Sequence, residues 1–189
     1  MKRIFITGTP GVGKSTIAKE IGTKYKIPVF DIAKIAIKKG CVKRYIEELK
    51  TFEVDTLSLE KELAELLKGL REFVLEGHLV DVVPEHLIDL VIVLRLHPVI
   101  LKERLLSRGY PVEKVKENVL SEILDVCLLT SISRFGEEKV HEINTTQKEL
   151  KEVVNEISEV VNGKIKPRHG FIDWIATLER EGLIDEYLL

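Results

Sequence analysis

Gly8-Thr9-Pro10-Gly11-Val12-Gly13-Lys14-Ser15-Thr16 is the stretch that decides the fold. An apolar run at residues 3–7 precedes it and an amphipathic stretch from Ser15 to about Tyr25 comes after it, predicting strand, loop and helix in that order. In that setting G-x-x-x-x-G-K-[ST] is a phosphate-binding loop. Glycines let backbone N–H groups turn inward around phosphate oxygens, and the helix N-terminus adds the positive end of its dipole. Lys14 is the group that neutralises charge on β- and γ-phosphates, and the Ser15 hydroxyl is a ligand for Mg2+. The bland alternative, a Gly/Pro turn that happens to carry Lys-Ser, does not require a strand before it and a helix after it.

Working outward, further apolar runs at 28–30, 72–76, 90–96 and 140–143 alternate with helical patterns. That alternation predicts an α/β chain, the P-loop NTPase three-layer fold, with a five-stranded parallel sheet and helices on both faces. Nearly all-apolar β-runs belong to strands covered on both sides. Val115, Val119, Ile123 and Cys127 fall at intervals of four and predict one helix stripe. Leu150, Val153, Val154, Ile157, Val160 and Val161 predict another, and Thr146 with Glu149 has the spacing of a capping box before it. Ser58 is expected to cap a helix bearing Leu59, Leu63, Leu66 and Leu67.

Two regions break the alternation: 31–56, polar and irregular after a short helical start, and 107–117, with Gly109, Tyr110 and Pro111 at its centre. Beside a phosphate site, such insertions are candidates for mobile lids. The tail, 164–189, is predicted to be a helical extension, with Phe171, Trp174, Ile175 and Leu178 at helical spacing before a stop at Gly182.

The 189 residues suit a single domain, and 44% hydrophobic with 32% charged residues allow a real core. A net charge of −2 argues against a large nucleic-acid footprint. Cys41 and Cys127 stand far apart and are expected to be reduced thiols, and 107–117 holds no cysteine, which excludes a zinc-stapled lid. The N-terminal apolar stretch is too short for a signal peptide, and no segment approaches the roughly 18 apolar residues of a membrane span. The expectation is a soluble cytoplasmic protein. Abundant Lys and Glu with a single glutamine, Gln147, point toward heat adaptation.

Residues beyond the loop narrow the class. No N-K-x-D-like guanine motif is present. Glu76-Gly77-His78 ends the third predicted strand, and in open α/β sheets ligands bind outside the carboxyl ends of the strands. A carboxylate there can hold Mg2+ or its waters, and an imidazole beside it can position water or a phosphate oxygen; otherwise Glu76 closes a strand end and His78 lies in a loop. Arg104 and Arg108, four apart at a predicted helix end, suit phosphate oxygens or a stacked base, or else form a solvated basic helix end.

From Gly8 to about Lys148 the chain resembles the adenylate kinase isoenzyme 6 family of archaea and eukaryotes. The residues that carry the resemblance are Thr7–Thr16, Glu76 with His78 and Pro84-Glu85, Val93-Leu94-Arg95, Glu103-Arg104-Leu105, Arg108-Gly109-Tyr110, and Glu117-Asn118 with Glu122. Glu76 stands where eukaryotic members carry Asp, and Gly77 where they carry a bulkier residue. The resemblance implies that Gly11, Gly13, Lys14, Ser15 and Thr16 hold ATP, with Arg108 as the lid arginine. It implies that 31–56 is the monophosphate-binding insertion, and that the strand and loop from Val140 to Thr146 pass beside the adenine, with Gln147 next to them. Asp31, Lys34 and Arg44 are acceptor-side candidates on position. The implied substrates are ATP with Mg2+ and a nucleoside monophosphate, AMP first. ATP hydrolysis is implied as a side activity, and late small-ribosomal-subunit maturation as a role.

The expected reaction is transfer of the ATP γ-phosphoryl group, with Lys14, Arg108 and Arg104 offsetting charge, Glu76 beside the metal and His78 handling water. A second reading keeps the same site but makes it a switch that binds small-subunit ribosomal protein eleven. The acidic stretches 47–55 and 179–186, or Phe171, Trp174 and Ile175, would supply the contact. A third, a kinase for a small molecule such as shikimate, is opposed by the insertion at 31–56 and the run from Glu103 to Tyr110.

Overall fold

The computed structural model describes residues 2–48 and 51–188, so Leu49 and Lys50 of the first insertion and acidic stretch, and Leu189 of the tail, lie outside the described residues. The chain opens with β1 (Arg3–Thr7), α1 (Lys14–Tyr25), β2 (Val29–Asp31) and α2 (Ile32–Lys38). A hairpin, β3 (Val42–Ile46) and β4 (Thr51–Val54), leads to α3 (Thr56–Leu67) and β5 (Phe73–Glu76). Two short 3-10 turns precede β6 (Leu90–Arg95), α4 (Pro98–Ser107), α5 (Val112–Ile123) and α6 (Val126–Phe135). The chain then runs through β7 (Val140–Asn144), α7 (Leu150–Val161), α8 (Trp174–Arg180) and α9 (Ile184–Leu188).

β2, β5, β1, β6 and β7 form one five-stranded sheet in that order, every pair parallel. Side chains alternate between its faces because the strand period is two. Ile4, Ile6, Ile92 and Leu94 join the side chains of α1, α4, α5, α7 and α8 in one core cluster. Phe5, Val91 and Val93 join those of α2, α3 and α6 in the other. This is the expected three-layer α/β architecture. From β5 the chain crosses over β1 to reach β6, so the loop after β1 sits where the strand order reverses, the usual ligand position in open α/β sheets.

Several local expectations are corrected. The region 31–56 contains the antiparallel β3–β4 hairpin, which no apolar alternation announced because its residues stand largely in solvent. α3 is capped by Asp55, whose Oδ1 accepts the Ser58 N–H at 3.1 Å, and not by Ser58. The capping box of α7 pairs Glu149 with Glu152; the Thr146 hydroxyl accepts the His97 N–H instead, at 3.0 Å. The stripe through Val115, Val119, Ile123 and Cys127 spans two helices, because Asp125 takes a left-handed conformation, φ 57°, with its carboxylate paired to Arg95. Within 107–117 the irregular part shrinks to the turn before Val112, where α5 begins.

The tail folds back on the sheet. Glu142 N–H donates to Arg168 O at 2.9 Å and Arg168 N–H to His141 Nδ1 at 3.2 Å, along the outer side of β7. Trp174 and Leu178 are buried in the first core cluster, whereas Phe171 and Ile175 are about half exposed at 52% and 43%. Among the described residues no helix is long and apolar enough to cross a membrane.

Candidate active site

The parallel register sets the carboxyl ends of three strands side by side: Asp31 pairs with Glu76, and Glu76 with Ile6. The loop from Gly8 to Gly13 rises from that edge and ends in α1. Gly8 cannot be anything larger. Its φ is 134°, and a Cβ would stand 2.4 Å from the carbonyl oxygen of Leu94. Lys14 is buried at 8% exposure, its Nζ donating to the carbonyls of Gly8 at 2.8 Å and Thr9 at 3.1 Å. Burial pulls its pKa below the ordinary lysine value, against the pull of Glu76 and Glu122.

The Ser15 hydroxyl donates to Glu76 Oε1 at 2.7 Å. Burial raises the Glu76 pKa, opposed by the Ser15 bond and helped by nearby Asp31. Gly77 comes next because Ile32 fills the space beside it: a Cβ there would lie 2.9 Å from Ile32 Cβ. The bulkier residue of the resembled family would need a different neighbour at 32.

A cleft of about 570 Å³ joins Gly11, Lys14, Ser15, Glu76, His78 and Arg108. Its opposite wall is Asp31, Ile32, Ala33 and Thr51, the last from the hairpin, and one face of α5 completes it with Lys114, Glu117, Asn118 and Ser121. His78 is exposed to the open cleft, yet the surrounding walls disfavour its charged form and lower its pKa to about 4, with Lys14 and Lys114 adding to the effect. Its imidazole is therefore neutral at pH 7. A groove of similar volume, about 590 Å³, lies at Asp81, Glu85 and Arg134, but Arg134 is committed there to Val83 O and Glu60 and no phosphate loop adjoins it.

Other candidates stand elsewhere. Arg104 is outside the cleft lining and donates to the carbonyl of Gly11 at 3.0 Å, so it braces the loop from behind. Gly13, Thr16 and Gln147 are also outside the lining, with Thr16 and Gln147 exposed. Asp31 caps α2 through the Lys34 N–H at 3.1 Å, and Lys34 turns its ammonium to the same carboxylate at 3.4 Å. Arg44 pairs with Glu53 across the hairpin at 2.6 Å, in solvent.

Oxygen donors are what a hard divalent cation takes, and Mg2+ commonly uses one or two protein groups with substrate phosphates completing its shell. Ser15 Oγ and Glu76, held together beside Lys14, fit that pattern. No group of three or more His, Cys, Asp or Glu suited to a metal occurs among the described residues.

The sequence reading missed the ion cluster beneath the loop. Arg95, at 1% exposure, bonds Glu122 Oε1 at 2.8 Å and Glu142 Oε1 at 2.6 Å, and pairs with Asp125. Burial raises the pKa of Glu142 and of Asp125, against the pull of Arg95. Glu122 also accepts the Leu96 N–H at 3.2 Å, the Trp174 indole N–H at 3.1 Å and the Thr9 hydroxyl at 2.6 Å. The signal was present: an arginine inside one apolar β-run and a glutamate inside the next must find partners when both strands are buried.

Fold and loop together define a P-loop protein of the α/β three-layer class, and known proteins agree. A family model described as an AAA domain matches residues 4–125. A protein of Methanocaldococcus jannaschii named "Putative adenylate kinase" is 41% identical over 91% of this chain and 92% of its own. A Pyrococcus furiosus protein of the same name is 43% identical over 93% of each chain. Among solved structures, the shikimate kinase from Bacteroides thetaiotaomicron superposes with a TM-score of 0.56 at 19% identity, over 85% of this chain and 98% of its own; that likeness is one of fold. The chain belongs to the family of P-loop proteins that these archaeal relatives represent.

Proposed function

We propose that the protein is a nucleoside monophosphate kinase that transfers the γ-phosphoryl group of ATP to AMP, with slow ATP hydrolysis as a side reaction. One observation carries the reading: a single cleft is lined both by the phosphate loop and by Asp31–Ala33 with the hairpin residue Thr51, which gives it room beyond the loop. A kinase of two nucleotides needs two adjoining sites. The names of the archaeal relatives support the same reading. A likeness to the isoenzyme 6 branch rests on the sequence motifs alone.

In this reading Lys14 leaves the carbonyls of Gly8 and Thr9 for the β- and γ-phosphate oxygens, and Arg108, at the end of α4, reaches over the transferring group. Phosphoryl transfer asks little covalent chemistry of a protein, so positioning and charge supply most of the rate. Ser15 and Glu76 would hold Mg2+, which when bound offsets the charge of the phosphates. Residues 108–111 close as the lid and the hairpin closes as the acceptor flap, excluding water. Neutral His78 holds a water when no acceptor is present, so His78→Gly should reduce hydrolysis more than transfer. Gln147 and Thr16 flank the adenosine end, and Arg104 serves by fixing the loop.

Purified protein with Mg-ATP and each nucleoside monophosphate in turn, monitored for diphosphate formation, tests the reading. ADP formed with AMP and lost in Lys14→Ala supports it. If ATP is hydrolysed but no monophosphate is phosphorylated, the kinase reading fails. The switch reading, with a basic ribosomal protein as partner, then replaces it.

A further inference from the structure

The tail has no place in the cleft, yet its polar atoms end on the machinery behind it. Trp174 Nε1 donates to Glu122 Oε1 at 3.1 Å, and the other oxygen of that carboxylate takes the Thr9 hydroxyl at 2.6 Å. Separately, Gly170 N–H and Phe171 N–H donate to Glu142 Oε2 at 2.8 and 3.3 Å, while Glu142 Oε1 receives Arg95, which also grips Glu122. Two routes thus lead from the tail to Glu122, and from there to the phosphate loop. Trp174 and Glu122 are 3% and 2% exposed, so water cannot replace a bond lost between them. Thr9 is held at both ends, since its carbonyl is one of the two that receive Lys14.

We infer that the tail segment from Arg168 to Leu178 is a positioning element of the phosphate loop, acting through Glu122 on Thr9 without touching the nucleotide. A loop whose N–H groups already point inward binds phosphate without first having to be ordered, and a loosened loop must be ordered during binding. The inference deepens the nucleotide-kinase reading and rests on it only where nucleotide affinity is measured.

Trp174→Phe is the sharpest probe: it keeps an aromatic ring beside His97, whose centroid lies 5.3 Å from the indole, and removes the N–H. Amide hydrogen exchange is to be read on residues 7–16 and, as a control, on α3, which packs in the opposite core cluster. The expected result is loop exchange about threefold to tenfold faster with α3 unchanged, and ATP binding weaker by a similar factor, the scale of one ordinary hydrogen bond. In turnover the loss should appear in KM for ATP more than in kcat. Equal acceleration in loop and α3, or no acceleration in the loop, overturns the inference and leaves the tail as packing alone. Should the wild-type chain bind no ATP while Trp174→Phe still loosens the loop, the positioning role stands and the nucleotide reading falls. Where wild type binds ATP and Trp174→Phe changes neither that affinity nor the loop, the nucleotide reading stands and the positioning role falls.

Discussion

The phosphate loop and the β3–β4 hairpin face the same cleft, but they are secured very differently. The loop is tied down from four directions: Thr9 to Glu122, Lys14 to the carbonyls of Gly8 and Thr9, Arg104 to Gly11 O, and Ser15 to Glu76. The hairpin's described side chains hold mostly one another, in the exposed Arg44–Glu53 pair and in Tyr45 against Phe52 with ring centroids 5.0 Å apart. Asp55 N–H to Cys41 O, at 2.9 Å, closes its base. One wall of the cleft is bonded into the rest of the fold; the other's described side chains bond mostly within the hairpin. Such a division suits a protein that must present triphosphate in one geometry and admit a second substrate beside it.

The contrast can be broken most sharply at Lys14. Lys14→Ala should lower phosphoryl transfer by about a thousandfold or more, as read by ADP formation, since in the proposed reaction that charge is the one that would offset the transferring group. Next in size, Glu122→Ala should destabilise the fold by about 3–5 kcal/mol in a urea titration, because the Leu96 N–H, the Trp174 indole N–H and the Thr9 hydroxyl all lose their buried acceptor. A drop below about 1 kcal/mol would mean that the wall behind the loop is not what holds it.

His78 tests the boundary between the walls by pH. Its folded pKa, about 4, lies below the ordinary 6.5. The unfolded chain therefore binds the proton first, and stability falls as pH drops from 6.5 toward 4. His78→Gln should flatten part of that fall and leave stability at pH 8 unchanged, measured by thermal melts across the range. Smallest of all, Arg44→Ala should change stability by less than about 1 kcal/mol, since its ion pair is in solvent. ATP affinity should stay constant, and any kinetic change should fall on the acceptor's KM. A loss of ATP affinity there would erase the distinction drawn between the two walls.

How legible each wall was in the sequence depends on the same division. The loop is a local string whose chemistry is fixed by residue order, so Lys14 and Ser15 could be placed without the fold. The sheet was legible because buried parallel strands are apolar throughout; the run at 90–96 became Leu90–Arg95, and that at 140–143 became Val140–Asn144. The hairpin escaped because Lys43, Arg44, Tyr45 and Glu53 leave no buried face to alternate against. The pairing of Arg95 with Glu122 and Glu142 escaped for another reason: it depends on which strands and helices become neighbours, and spacing along the chain does not say so. The break at Asp125 belongs with them, since the apolar stripe runs through it while its carboxylate pairs with Arg95.

Synthesis proceeds from the N-terminus, and domains tend to organise as they emerge. Thr9 is made well before Trp174, whose indole holds the carboxylate that holds Thr9. A nascent chain can therefore assemble β1, α1 and the loop between them early, but that loop lacks its full support until Trp174 has emerged. Its order of manufacture separates the appearance of the nucleotide site from its completion.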